Sequence, residues 1–471
     1  MCTNGCCFQR LTFTTLVLIS AVSCSRSLAQ ADAQFTGEAA NDQAGGSVSG
    51  AGDVNGDGFD DLLVGAGDNS EGGEWTGAAY LVLGSATPTS LGLAAADAKF
   101  TGEILDGFAG SSVAGGGDVD GDGFDDMLVG SAWSHGEREG PGSVFLILGS
   151  PSPASIGLES ADACVDAPEM GGVLSGPASA FLGDVNADGF DDLGFGFGDS
   201  AFLVLGAADP QSGSLASADA IFSGGPAAIP GGTKLVRAGD YDGDGLNDVL
   251  VVSPSNEEGG ANAGCAWLIE GATGLGSVAL SDVSVQFLGR RGDAVMVGAG
   301  GEDVNGDGFD DLVLGAPGNS DAAAGAGAAF LLLGESAPQA VDLGDGGIKF
   351  TGGAAGEYGG QAVAMAGDYD GDGFADFVIG APGHGGEFAG GGFLVTGTAD
   401  PVSESLSEAG ILWVGAMESD YAGSAVAGAG DVNGDGLGDV LIGAPDNYAG
   451  GHRAGTAYLL AGQSLSKSGL P

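Results

Sequence analysis

One nine-residue phrase recurs seven times along the chain: Asp-x-(Asn/Asp)-x-Asp-Gly-x-x-Asp, beginning at Asp53, Asp118, Asp184, Asp240, Asp303, Asp368 and Asp431. Successive starts lie 56 to 66 residues apart, a period that belongs to propeller blades or arrays and not to short solenoid turns. The phrase always sits at the same place in its unit. A short apolar strand precedes it, as in Gly110–Gly115, and a second follows it, as in Asp126–Gly130. A third comes after a Gly-rich connection (Val144–Gly149), and a fourth ends in Phe-x-Gly, as in Lys99–Gly102. Four short strands with glycine turns make one blade. The apolar runs are continuous, as expected of strands buried on both faces.

The fourth-strand signature appears at Phe35, Phe100, Phe222, Phe287, Phe350 and Trp413, and more weakly at Cys164–Asp166. The chain thus opens on a fourth strand and closes on a third, Thr456–Leu460. Seven complete blades form only if the N-terminal strand finishes the last one, which also removes open sheet edges. The expected fold is all-β: a seven-bladed β-propeller of four-stranded blades. The Gly content, 97 of 471 residues, would on its own indicate disorder, but the strict period overrules it.

Within each phrase, positions 1, 3, 5 and 9 carry oxygen side chains and position 6 is glycine. Alternating oxygens on a tightly curled backbone suit a hard cation such as calcium. An EF-hand needs a Glu at position 12 and flanking helices. Here that position is Val64, Val129, Phe195, Val251, Leu314, Ile379 or Ile442, each inside a strand-like run, which excludes it. An acidic turn that binds nothing is the plainer alternative, because Asp and Gly are common turn formers; seven intact copies weigh against it. Three or four carboxylates in one small loop repel without a cation, so binding would couple to loop folding. The ion is expected to be structural, with weak to moderate affinity of roughly 10⁻⁵ to 10⁻³ M.

The Phe-x-Gly endings and the Gly-Ala-Pro triplets at Gly315–Pro317, Gly380–Pro382 and Gly443–Pro445 flank the acidic loops. Together they resemble the FG-GAP repeats of the integrin α-subunit head, over about residues 31 to 463. The resemblance implies up to seven structural Ca²⁺ ions on the loops joining first and second strands. It assigns Asp53, Asn55, Asp57, Asp61 and the Phe59 carbonyl in blade one; Asp118, Asp120, Asp122, Asp126 and the Phe124 carbonyl in blade two. Blade three offers Asp184, Asn186, Asp188, Asp192 and Phe190, and blade four Asp240, Asp242, Asp244, Asp248 and Leu246. Blade five offers Asp303, Asn305, Asp307, Asp311 and Phe309, blade six Asp368, Asp370, Asp372, Asp376 and Phe374, and blade seven Asp431, Asn433, Asp435, Asp439 and Leu437. All seven loops are complete, whereas the integrin pattern fills only a subset, and no inserted ligand-binding domain, leg or anchor is seen.

The N-terminus reads as a secretory signal: Arg10, an apolar run from Leu11 to Val22, and a small-residue site at Ser27-Leu28-Ala29 before Gln30. This divides the chain into a signal peptide (1–29), the propeller (30–464) and a tail (465–471). A lipoprotein cut before Cys24 competes, but Ala21-Val22-Ser23 lacks the usual large aliphatic residue. The mature chain has no spanning segment and is expected to be secreted or at the cell surface. Its two remaining cysteines, Cys164 and Cys265, fall in different repeats and are expected to be small buried residues, not a disulfide framework. With 64 acidic against 11 basic residues, nothing could neutralise a nucleic-acid backbone.

The face opposite the acidic loops gathers the three histidines, His135, His384 and His452, with Arg138, Arg290, Arg291, Arg453, and the aromatics Trp75, Phe108, Trp133, Tyr358 and Tyr421. This rim is the expected place for a protein or glycan ligand; the bland alternative is that glycine-rich loops tolerate any polar residue. No Ser-His-Asp order, Cys-His pair or phosphate loop can be assembled, so no enzyme activity is expected. Arg291-Gly292-Asp293 spells an adhesive tripeptide, a chance product where Gly-Asp is frequent. The favoured reading is an integrin α-like adhesion or recognition module. An exported propeller enzyme acting on carbohydrate, supported only by the His/Arg/aromatic rim, and a purely structural surface or matrix protein are the alternatives.

Overall fold

A computed structural model describes residues 25–133, 142–168, 178–224 and 232–464. They form seven sheets, each antiparallel over its first four strands, arranged as the blades of a propeller. Blade one runs Ser47–Gly52, Asp61–Ala66, Ala78–Val82 and Ala98–Thr101 from the axis outward. Second and third strands such as Asp61–Ala66 and Ala78–Val82 are buried at every residue, because neighbouring blades cover both faces. Each of the seven apolar clusters draws on two adjacent blades; one combines Leu62, Val64 and Tyr80 of blade one with Leu441, Ala457 and Leu459 of blade seven. Apart from short 3-10 turns, the only helix among the described residues is Leu406–Ala409.

The ring closes as the sequence predicts. Ala33–Thr36 pairs antiparallel with Thr456–Leu460, with Phe35 opposite Ala457, so the first described repeat strand completes the last blade. The weak fourth-strand signature is a true one: Ala163–Asp166 is the fourth strand of blade two, with Val165 where other blades place Phe.

Two features lie outside the sequence reading. Each blade carries a fifth strand, two or three residues long, which runs parallel to the fourth and comes from the segment leading into the next blade's fourth strand. Leu91–Gly92, for example, lies on Ala33–Thr36 of blade seven before the chain enters Ala98–Thr101 of blade one. Such strands are too short to show periodicity. Among the described residues, Ser25–Ser27, ahead of the boundary expected at Gln30, is the fifth strand of blade six.

Each first strand ends in a bulge where it meets the acidic loop, as between Gly50 and Gly52. Gly52 has φ +67°, a left-handed conformation that glycine adopts without strain and that turns the chain sharply into Asp53. Cys265 is fully buried, whereas Cys164 is only partly so; both are free thiols. No described helix is long and apolar enough to cross a membrane.

Candidate functional site

In blade one the Asp53 carboxylate accepts from the N–H groups of Asp57 (3.0 Å) and Gly58 (2.9 Å). Asn55 Oδ1 accepts from Asp57 N–H at 2.8 Å, and Asp57 Oδ1 from Phe59 N–H at 3.1 Å. Position 1 binds the N–H of position 6 in all seven loops. Positions 1, 3 and 5 are thereby folded over one point. In blade two, carboxylate oxygens of Asp118, Asp120 and Asp122 lie within 4.8 Å of one another, as do those of Asp240, Asp242 and Asp244 in blade four. Asp368, Asp370 and Asp376 converge likewise in blade six.

Position 9, which joins the cluster in blade six, is also tied to its own blade. Asp61 is fully buried; its Oδ2 accepts from Val54 N–H (3.1 Å) and its Oδ1 from Gly84 N–H (2.8 Å) just beyond the third strand. The same two bonds recur at Asp126, Asp192, Asp248, Asp311, Asp376 and Asp439. These carboxylates brace the loop against its own blade. Burial pushes their pKa up to about 7, and to about 6 at Asp192, against partial relief from those amides.

The donor set fits a hard divalent cation. Asp240 Oδ1 is buried without a hydrogen-bond partner, beside Asp242 and Asp244, and burial together with neighbouring carboxylates raises the pKa of Asp242. A cation would supply the missing partner and cancel the repulsion. Oxygens at positions 1, 3 and 5 are gathered in blades two and four, and those at positions 1, 3 and 9 in blade six.

Sequence reasoning passed over position 8. The Asp53 N–H donates to Asp125 Oδ2 of the next blade's loop at 2.7 Å. Asp118 donates to Asp191 (3.0 Å), Asp240 to Asp310 (2.9 Å) and, across the ring closure, Asp431 to Asp60 (2.6 Å). Backbone bonds such as Asp125 N–H to Asp53 carbonyl (3.3 Å) run beside them. Blades six and seven have Ala375 and Gly438 at this position. Between blades five and six, where position 8 is Ala375, the tie runs the other way: Glu302 of blade five accepts the Gly367 N–H of blade six at 2.9 Å. The ring of loops is therefore tied blade to blade. A further contact is steric: a Cβ on Gly56 would lie 2.6 Å from Cε1 of Phe124 in the next loop, and Gly121 has the same relation to Phe190.

On the opposite face the two described histidines, His384 and His452, do not converge on a catalytic arrangement. His384 Nδ1 lies 2.9 Å from Glu357 Oε1, in the position where blade five has Asn319, whose Nδ2 donates to Asp293 Oδ1 at 2.8 Å. Burial alone would raise the Glu357 pKa, but hydrogen bonds from His384 and from Ala354 and Gly353 hold it below the usual range. Asn69, Asn256 and Asn447 occupy equivalent buried positions, so His384 substitutes for a structural asparagine. His452 Nδ1 meets Asn41 Oδ1 at 3.0 Å. His135 and Arg138 lie outside the described residues. Arg290 is bonded to Asp342 and Asp345, and Arg453 to Asp446. In the adhesive tripeptide, Asp293 is 5 % exposed and both its oxygens are engaged, by Arg290 N–H and Asn319. The tripeptide is not displayed for recognition.

The aromatics are partly displayed. At the junction of blades one and two, Trp75 (φ +51°) and Phe108 (φ +53°) stack with centroids 6.2 Å apart, joined by Phe108 N–H to Trp75 carbonyl at 3.0 Å. Between blades six and seven, Phe388 (φ +59°) and Tyr421 (φ +51°) stack at 5.5 Å in the same backbone arrangement. The same left-handed conformation recurs at Gln43, Asn262, Ala294 and Arg453 of other blades; here it carries Trp75 and Phe388, which are exposed, over the half-buried Phe108 and Tyr421. Leu105, Tyr358, Met417 and Tyr448 are also exposed on this face. Phe388 carried no signal in the sequence reading, because it lies in a glycine-rich loop with no motif.

Comparison with known proteins agrees with this geometry. Residues 44–82, 109–147, 294–332, 359–395 and 422–460 match the FG-GAP repeat model. The chain is 31 % identical over 223 residues to integrin alpha pat-2 of Caenorhabditis briggsae, a match covering 44 % of this chain and 17 % of that protein. It is 35 % identical over 159 residues to integrin alpha-PS5 of Drosophila melanogaster (31 % of this chain, 14 % of that one). Over 147 residues it is 37 % identical to human integrin alpha-IIb (30 % and 13 %). The chain thus spans less than a fifth of the length of these relatives.

Proposed function

The chain is an FG-GAP repeat protein with an integrin α-like propeller, and from that premise we propose that it is an exported recognition module that binds a protein or glycan on the rim opposite its acidic loops. The observation that carries this is the pair of aromatic stacks, Trp75–Phe108 and Phe388–Tyr421, whose outer rings Trp75 and Phe388 are exposed on a chain of net charge −53. Exposed aromatic platforms supply area at low entropic cost. Beside the first stack runs a groove lined by Gln43, Asp68, Phe108, Ser111 and Trp133. The reading is recognition and not catalysis because His384 and His452 are each engaged in local pairs.

In the same proposal the acidic loops hold calcium, at up to seven sites, with the side chains of positions 1, 3, 5 and 9 and the carbonyl of position 7 as ligands. When bound, the ion supplies positive charge that neutralises the clustered carboxylates; Asp60, Asp125, Asp191 and Asp310 carry the resulting order from loop to loop. The ion is structural and lies on the face away from the ligand. The test is binding of the calcium-loaded protein to a printed array of glycans and extracellular matrix proteins. Binding that is lost in a Phe388→Ser/Tyr421→Ser or Trp75→Ser/Phe108→Ser variant of unchanged melting temperature is the expected result. Binding insensitive to both rim variants would refute the assignment of the site.

A further inference from the structure

The repeat extends further upstream than its Phe-x-Gly landmark. A leucine stands seven residues before the landmark position in every unit: Leu93 before Phe100, Leu158 before Val165, Leu215 before Phe222, Leu280 before Phe287, Leu343 before Phe350 and Leu406 before Trp413. Each of these six is buried, and each follows a two-residue strand laid parallel on the preceding blade. The seventh member of the series is Leu28, before Phe35.

Leu28 behaves as its six counterparts do. It is 0 % exposed and packs in the cluster that holds Val378, Leu394 and Trp413 of blade six with Tyr458 of blade seven. Ser25, Arg26 and Ser27 pair parallel with Leu412, Trp413 and Val414. The Arg26 guanidinium lies 5.1 Å from the Trp413 ring centroid and donates to Gln463 Oε1 at 3.1 Å, linking this segment to the far end of the chain. Ser27 Oγ accepts from Ala29 N–H, and Ala31 N–H donates to the Leu28 carbonyl at 3.1 Å, as Ala96 does to Leu93. Ser25–Gln30 is thus a strap that crosses from blade six to blade seven beside the ring closure.

We infer that Ser25–Gln30 is a constituent of the mature propeller and that any leader is removed upstream of Ser25, not at the bond between Ala29 and Gln30. A cut at that bond would strip the outer strand from blade six alone and leave a cavity where Leu28 sits, while the six equivalent leucines remain. Small residues three positions and one position before Cys24 (Ala21 and Ser23) provide a processing site on the upstream side. The step is hydrolysis of one peptide bond, water giving the new carboxylate and amine. Neither ligand nor cation enters this boundary.

The experiment is to export the full chain from a secretory host, determine the N-terminus of the released protein by mass spectrometry, and compare melting of chains starting at Ser25 and at Gln30. A mature N-terminus at or ahead of Ser25 is expected, with the chain from Gln30 melting about 3 °C or more below the chain from Ser25. Leu28→Ala in the longer chain should reproduce most of that shift, since it removes the buried side chain and leaves the strand in place. A released protein beginning at Gln30, or equal melting of the two chains, would overturn the inference.

Discussion

Replacing Gly56 with alanine probes whether acidic loops of adjacent blades interlock. Gly56 has φ +74°, and an L-residue there costs about 1–2 kcal/mol. Its Cβ would stand 2.6 Å from Phe124 Cε1, so the ring must move, an overpacking cost of about 1–3 kcal/mol. The sum is roughly 2–5 kcal/mol. For a chain of this size, unfolding entropy of ~2 cal/mol/K per residue converts this into a fall of about 2–5 °C in melting temperature. The partner substitution separates the two terms. Phe124→Leu alone should cost about 1 kcal/mol for a partly buried ring, yet in the Gly56→Ala background it should restore most of the steric loss. Blade three supplies a natural precedent: Ala187 holds this loop position at φ +62°, and the next loop carries Leu246 in place of Phe. The assay is a double-mutant cycle by denaturant unfolding in calcium-containing buffer. A double mutant whose loss equals the sum of the singles within about 0.5 kcal/mol would refute the contact.

Two further outcomes follow from the loop geometry. Asp125→Ala leaves the Asp53 N–H without its 2.7 Å partner and should cost about 1.5–3 kcal/mol, whereas Asp209→Ala, at an exposed aspartate in a loop between third and fourth strands, should cost nothing measurable. Equal unfolding midpoints for the two variants would contradict the blade-to-blade tie. In buffer stripped of divalent cations, melting temperature should fall as pH rises from 5 to 8. The buried position-9 carboxyls have folded pKa values of about 7, above the ordinary 3.8, so the folded chain holds extra protons in that window. Their stabilising contribution is complete below the unfolded value and is lost as pH rises through the folded one. A midpoint that climbs with pH under these conditions would show that the carboxyls are not held as described.

Blade number and ring closure were legible in the sequence because both rest on long-range spacing: the Asp-x-(Asn/Asp)-x-Asp phrase counts blades, and Phe35 with Thr456–Leu460 shows the two halves of the last one. The fifth strands were not, since two residues such as Leu91–Gly92 carry no alternation. Their signal was the leucine seven residues before each landmark, which a reading centred on Phe-x-Gly passes over. The convergence of positions 1, 3 and 5 was legible from their alternation. The ties at Asp125 and Asp310 were hidden because each partner lies some 70 residues away in a different blade. His384 attracted attention as a rare residue, but alignment of its loop with those holding Asn319 and Asn447 shows a structural position. The aromatic stacks depend on positive φ angles that no residue type announces.

Calcium titration of the stripped protein, with binding heat measured per chain, tests most directly whether the seven loops are cation sites. Saturable uptake of several ions, up to seven, with dissociation constants of roughly 10⁻⁵ to 10⁻³ M is the predicted result. Absence of saturable binding at millimolar calcium would contradict the account, because the clustered carboxylates of Asp118, Asp120 and Asp122 and their counterparts would then have no ion to gather around.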